Sequence, residues 1–260
     1  MSVIRFFTLA VFALFTFHLT AQDFDLFEKK KFVSDDGELP YRILLPKDFD
    51  SSKKYPLLLF LHGAGERGND NESQLKHGAE LFLRDSIRQK YPAIVVFPQC
   101  ATNSSWARIG FSNTGGQNQF VFYERAKPTA EMVLLEGLLD ELSKTFKISR
   151  NQRYVGGLSM GGFGTFELVN RNPKLFAAAF PICGGANPKI APRLKKLDWW
   201  VFHGDADDIV PPKYSSQMVD ALKKVNARVT YNLYPEVKHN SWDYAFKEPE
   251  LLPWLFSKAR

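Results

Sequence analysis

Cysteine is scarce in this chain of 260 residues: Cys100 and Cys183 are all it has, so at most one disulfide can form. No repeat, low-complexity tract or linker divides the chain. The glycine-rich segment His62 to Gly68 lacks a Gly-Lys-Ser/Thr ending and an acidic residue at dinucleotide spacing, which argues against a phosphate loop and a dinucleotide fingerprint. Long apolar runs are missing too. The longest, Phe6 to Phe17, stops at His18, short of the roughly 20 residues of a spanning helix, so no stable membrane anchor is expected. Positive charge exceeds negative only mildly, at +6, and the lysines fall in short runs such as Lys29 to Lys31, Lys53-Lys54 and Lys223-Lys224. Such runs read as solvated faces, and no nucleic-acid partner is expected.

Hydrophobic residues make up 45% and charged residues 24%, a balance that places the bulk of the chain among globular proteins with a single large core. The N-terminus differs. Arg5 precedes the apolar run, and Leu19-Thr20-Ala21 then meets Gln22-Asp23, the anatomy of a signal peptide. Residues 1–21 are read as that peptide and 22–260 as the mature domain, exported to the periplasm or secreted. No cysteine follows the cut to accept a lipid.

The mature segment opens with Leu26 to Val33 and Leu39 to Leu45 about an Asp36-Gly37 turn, a hairpin signal. Buried strands are expected at Pro56 to Leu61, Ala93 to Phe97, Arg153 to Val155, Ala177 to Ile182, Trp199 to Phe202 and Val229 to Tyr234. Helices are expected at Ser73 to Gln89, Thr129 to Phe146, Met160 to Asn170, Pro212 to Val225 and Trp242 to Ser257. In the second of these Thr129 serves as cap, and Met132, Leu135, Leu138, Leu139 and Leu142 share one face. The alternation predicts an α/β fold with a mainly parallel sheet covered by helices on both sides. Residues 99–127 read as one long irregular loop, a length often tied to function.

The strongest chemical signal is Gly157-Leu158-Ser159-Met160-Gly161, a G-x-S-x-G pattern where a strand turns into a helix. A serine hydroxyl needs a base, and of the five histidines His239 stands best placed, in a loop between the last strand and the final helix. His62 and His203 each sit between an apolar run and a glycine and read as strand-end hydrogen-bonding residues; His77 reads as a surface residue. A carboxylate to orient the imidazole is offered by Asp205, Asp207 and Asp208, which chemistry alone does not rank. The chain order Ser, Asp, His is that of the α/β-hydrolase fold. An oxyanion hole requires two N–H groups, one from Met160 directly after the serine and one from the His62–Gly68 loop.

HGAGERG, GLSMGG, HGDADDIVP and KHNSW together resemble secreted bacterial carboxylesterases of the feruloyl and acetyl-xylan esterase and polyhydroxyalkanoate-depolymerase groups, and the prolyl-oligopeptidase-like branch of the α/β-hydrolases. The resemblance implies an α/β-hydrolase fold with an antiparallel N-terminal hairpin. It selects Asp207 as the triad acid, and Ala64, with Gly65 as alternative, as the second oxyanion donor; Asp205 and Asp208 are left as turn-capping residues. It also implies two strands between those that precede Cys100 and Cys183, hence roughly 14 Å between the cysteines, so two free thiols are expected.

The resulting expectation is a serine carboxylesterase that needs neither metal nor cofactor and cleaves small or polysaccharide-linked esters through an acyl-enzyme. Trp106 and Trp242 are candidate substrate contacts, with Phe111 and Phe163 behind them. The rival readings are a peptidase of the prolyl-oligopeptidase-like type, disfavoured by size, and a lipase, disfavoured by the lack of a lid pattern in 99–127. A non-catalytic carbohydrate-binding protein on the same fold is the rival of another class. Oligomeric state is not readable.

Overall fold

The computed structural model describes residues 23–114 and 117–260; the expected signal peptide lies outside the described residues. Among the described residues ten strands and eight α-helices follow one another, the first half as β1 (Glu28–Ser34), β2 (Gly37–Leu44), β3 (Tyr55–Leu61), α1 (Ala79–Leu83), α2 (Asp85–Lys90), β4 (Ile94–Pro98), β5 (Ile109–Thr114), β6 (Gln117–Phe122) and α3 (Ala130–Thr145). The second half continues with β7 (Ile148–Leu158), α4 (Met160–Arg171), β8 (Ala178–Ile182), α5 (Ala191–Leu194), β9 (Asp198–Gly204), α6 (Lys213–Lys224), β10 (Arg228–Tyr234), α7 (Trp242–Ala245) and α8 (Leu251–Phe256). Eight strands form one sheet in the order β1-β2-β4-β3-β7-β8-β9-β10. The β1–β2 hairpin is antiparallel, β2 lies antiparallel on β4, and the remaining pairings are parallel. This is the α/β-hydrolase architecture.

The central strands explain their own position. Along β3, Leu57, Leu59 and Leu61 enter one core while Leu58 and Phe60 enter the other. A strand apolar on both sides is stable only where helices cover both faces. On the first face lie Leu138 of α3, Phe166 of α4, Leu194 of α5 and Leu222 of α6. On the second lie Phe82 of α1, Ala245 of α7 and Leu255 of α8. From β3 the chain passes to β4 on one side, whereas β7 flanks it on the other. The loops after β3 and β7 therefore diverge at the carboxyl edge, where open α/β sheets bind their ligands.

Three elements depart from expectation. The helix expected over Ser73 to Gln89 is broken at Gly78, which adopts φ 86° and leaves room for the Phe246 ring, where a Cβ would stand 2.5 Å away, and again at Arg84, which is extended at φ −63° and ψ 124°. The final helix is two, α7 and α8, with Pro249 between them, where a proline disfavours helix in the residue before it. Residues 99–127 are not structureless: β5 and β6 pair as a separate antiparallel hairpin. Phe120 and Phe122 anchor it on Phe163 of α4 and Tyr214 of α6. Thr129 caps α3 as expected, its side chain accepting from the Met132 amide. Among the described residues no helix is long and apolar enough to cross a membrane.

Candidate active site

Ser159 stands between β7 and α4 in a left-handed conformation, φ 53° and ψ −116°. Such backbone strain in a residue other than glycine persists only where the surroundings enforce it. Here they do. A Cβ on Gly161 would lie 1.9 Å from the Leu61 carbonyl oxygen, and one on Gly157 would lie 2.4 Å from the Gly161 carbonyl oxygen. The end of β3 is thus pressed against the first turn of α4, and only glycines permit the approach. The Ser159 amide donates to the Ile182 carbonyl at 2.9 Å, which fixes the turn to β8.

The serine hydroxyl is 2.9 Å from His239 Nε2, and His239 Nδ1 is 2.8 Å from Asp207 Oδ2. With its Nδ1 proton committed to a carboxylate, the imidazole presents a bare Nε2 to the hydroxyl, the tautomer a general base requires. The Asp207 carboxylate is fully enclosed. Its Oδ1 accepts from the Ile209 and Val210 amides at 3.0 and 2.9 Å, and its Oδ2 accepts a second imidazole, His203 Nε2, at 3.1 Å. Burial pushes this carboxyl up, but the hydrogen bonds from His203, His239 and Val210 prevail and hold it well below the usual carboxylate range. Of the other two acids, Asp205 accepts from the Glu236 amide at 2.7 Å and Asp208 is exposed, so the structure brings Asp207 alone to the imidazole.

The loop after β3 lies against the serine. A Cβ on Gly63 would stand 3.6 Å from Ser159 Cβ, and Ala64 opens a short 3₁₀ turn at Ala64–Glu66. Ala64 and Met160 are each the first residue of a helical turn, where N–H groups have no acceptor within their own helix and are available to an oxyanion. His62 forms the strand-end bonds foreseen for it. Its Nε2 accepts from the Cys100 amide at 2.9 Å and its Nδ1 reaches the Gly63 carbonyl at 2.6 Å. Burial pushes its imidazole down to about 4. Beside it, the buried Glu66 carboxylate pairs with His77 Nε2 at 3.5 Å, a partner that sequence reasoning left on the surface.

The aromatic expectations divide. Trp106 has no exposed surface; its indole donates to the His62 carbonyl at 3.1 Å and its ring meets His62 edge-on. It is a prop for the loop after β3, and the expected substrate contact at Trp106 is corrected on that ground. Trp242 is half-buried and lies between two imidazoles, 5.4 Å from His239 and 5.1 Å from His77. Phe163 is buried, whereas Phe111 is 71% exposed on the hairpin.

Cys183 is a further neighbour that sequence reasoning did not place here. It too has a positive φ, 40°, and its sulfur lies within 4.8 Å of the ligand atoms of Asp207 and His239. Metal binding at this trio would require a thiolate. Burial, then the Asp207 charge, push the thiol up, and Asp207 Oδ2 is already taken by two imidazoles, so the set fits a hydrogen-bonded relay better than a metal centre. Cys100 and Cys183 are both free, as expected.

Comparison with known proteins gives the family. A solved structure described as a thermostable esterase superposes with a TM-score of 0.81 at 34% identity, covering 91% of this chain and 64% of its own. Lysophospholipase-like protein 1 of Mus musculus is 24% identical over 200 residues, 70% of this chain and 79% of that protein. "Probable feruloyl esterase C" of Aspergillus terreus is 24% identical over 186 residues, 72% of this chain and 61% of that protein. The chain thus spans less than two thirds of two of these three relatives. The family model described as "Putative esterase" matches residues 34–242, and the chain belongs to that Esterase family.

Proposed function

We propose that the protein is a serine carboxylesterase acting on small or carbohydrate-linked esters, with Ser159 as nucleophile, His239 as general base and acid, and Asp207 as the group that orients and stabilises the imidazolium. The observation that carries the reading is the continuous file from Ser159 Oγ through His239 to Asp207 Oδ2, at 2.9 and 2.8 Å. In the first step Ser159 Oγ attacks the ester carbonyl while Nε2 takes its proton, and the amides of Ala64 and Met160 receive the developing oxyanion. His239 then protonates the departing alcohol. Water, deprotonated by the same Nε2, attacks the acyl-enzyme, and the acid leaves as Ser159 regains its proton. Trp242, beside His239, is the aromatic side chain best placed to meet the substrate. Support for a carbohydrate-linked ester comes from the feruloyl esterase relative. Export rests on the signal-peptide reading of residues 1–21.

The test pairs labelling by a fluorophosphonate probe with hydrolysis of p-nitrophenyl acetate and of feruloyl and acetyl sugar esters. Wild type should label and turn over, and Ser159→Ala should do neither while remaining folded. Folded wild type that neither labels nor hydrolyses any of these esters would overturn the assignment, and a preference for peptide anilides would replace it with a peptidase.

A further inference from the structure

The end of the sheet opposite Ser159 is strongly basic. A cleft of about 600 Å³ there is lined by Lys54, Lys144, Lys147, Arg150 and Arg153, and a second of about 650 Å³ by Lys195, Lys196, Arg228 and Arg260; among the described residues no Asp or Glu side chain lines either. The two adjoin. The Arg153 carbonyl accepts from the amide of Ala177, which lines the second cleft, and the Arg260 amide donates to the carbonyl of Asn151 at the start of β7. Arg228 pairs with Asp198, but among the described residues no ion pair engages the other cations of these clefts.

Helix dipoles explain only part of this concentration. Helices that pack on a parallel sheet end at the strands' amino edge, where Lys144 of α3 meets a favourable field. Arg150 and Arg153, however, lie on β7 itself, and Lys54 precedes β3. They terminate no helix, and their crowding is unfavourable: burial, and then the charge of Arg150, weaken the hold of Arg153 on its proton and outweigh the opposing charge of Asp140. Its Nε is buried with no hydrogen-bond partner. An anion seated in these clefts would relieve the crowding.

We propose that this pole docks a linear polysaccharide bearing carboxylate groups, leaving the Ser159 edge free to face the solvent. Guanidinium and ammonium groups in two adjoining clefts suit carboxylates repeated along a chain. Phe49 and Phe146 line the first cleft with Ser51, Ser143 and Thr145, offering apolar ring faces and hydroxyls to sugars. A lipid surface fits less well, because interfacial binding needs exposed apolar side chains and the large exposed ones, such as Phe111, Ile209 and Tyr244, line neither cleft. From Arg153, which pairs with Leu57, to Ser159 the chain runs along β7 for roughly 20 Å at about 3.3 Å per residue, so the pole acts apart from the ester chemistry.

Affinity electrophoresis of the full protein in gels containing polygalacturonate tests this. Wild type should be retarded at about 0.01 M salt, where charges act over roughly 30 Å, and much less at 0.1 M, where they act over about 10 Å. Lys147→Glu/Arg150→Glu/Lys196→Glu should weaken binding at least about tenfold, whereas Lys31→Glu/Arg84→Glu/Lys213→Glu, equal in charge but elsewhere, should not. The corresponding glutamine variants repeat the measurement if the reversals disturb folding, and unchanged hydrolysis of p-nitrophenyl acetate reports an intact site. Equal loss in both triple variants, or no retardation of wild type, would overturn the proposal. So would pole-dependent sedimentation with vesicles of anionic phospholipid in the absence of polygalacturonate binding.

Discussion

His203 Nε2 lies 3.1 Å from Asp207 Oδ2, the same carboxylate oxygen that His239 Nδ1 meets at 2.8 Å. His203 Nε2 also faces the Val210 carbonyl at 2.8 Å, so between two acceptors this nitrogen carries the proton. On its far side Nδ1 meets Ser215 Oγ at 2.7 Å, and Ser215 in turn reaches the Gly184 carbonyl. His203 therefore helps to hold the carboxylate oxygen that His239 meets.

Removing that donor should show in turnover. A hydrogen bond to a charged group contributes about 1.5–3 kcal/mol, so His203→Leu is expected to lower kcat for p-nitrophenyl acetate roughly ten- to a hundredfold with KM little changed. His203→Gln, whose amide can still donate to Asp207, should recover most of the loss. Equal loss in both variants would reduce His203 to a packing residue.

The glycine pattern was legible in the sequence, but not which glycines space requires. A Cβ on Gly161 meets the backbone oxygen of Leu61, which cannot yield without moving β3, whereas one on Gly65 meets nothing within 4 Å. Gly161→Ala is expected to destabilise by about 3 kcal/mol or more and abolish activity. Gly65→Ala should stay within about 0.5 kcal/mol of wild type in urea unfolding. Similar midpoints for the two variants would contradict the packing described.

What the sequence conveyed follows from physics. β3 and β4 read as strands because both faces are buried, leaving short unbroken apolar runs. The β5–β6 hairpin escaped notice because its apolar residues are few and become a face only when α4 and α6 lie beneath them. Asp207 could be named only through resemblance, since its choice over Asp205 depends on a turn whose amides face its Oδ1. The basic pole was hidden for a similar reason: its lysines and arginines are scattered from Lys54 to Arg260 and are gathered only by strand order.

His62 gives the fold a pH dependence of known sign. Its imidazole ionises near 6.5 in the unfolded chain and at about 4 when buried, so between these values the unfolded state binds more protons and stability falls as pH falls. Stability is expected to be complete above pH 6.5 and lower by about 2 kcal/mol at pH 5. The depressed carboxyl of Asp207 acts in a separate window, its contribution present above roughly pH 4 and lost below it. Urea unfolding at pH 7 and pH 5 measures the first effect. His62→Gln should be less stable at pH 7 yet lose less on acidification; a wild type equally stable at both values would contradict the assignment.

The two thiols provide a final test of the core around the site. Cys100 and Cys183 have no exposed surface, and burial, the largest influence on each, pushes both well above the usual thiol range; the neighbouring Glu131 and Asp207 charges add to it. Disulfide exchange proceeds through the thiolate, so both absence of access and absence of charge slow it. Native protein is expected to react with Ellman's reagent at neither cysteine over an hour at pH 8, and at both once unfolded in guanidinium chloride. A fast-reacting native thiol assigned to Cys183 by peptide mapping would mean that the Asp207–His239 region opens in solution. It would then predict loss of esterase activity in step with modification, because the sulfur lies within 4.8 Å of the ligand atoms of both.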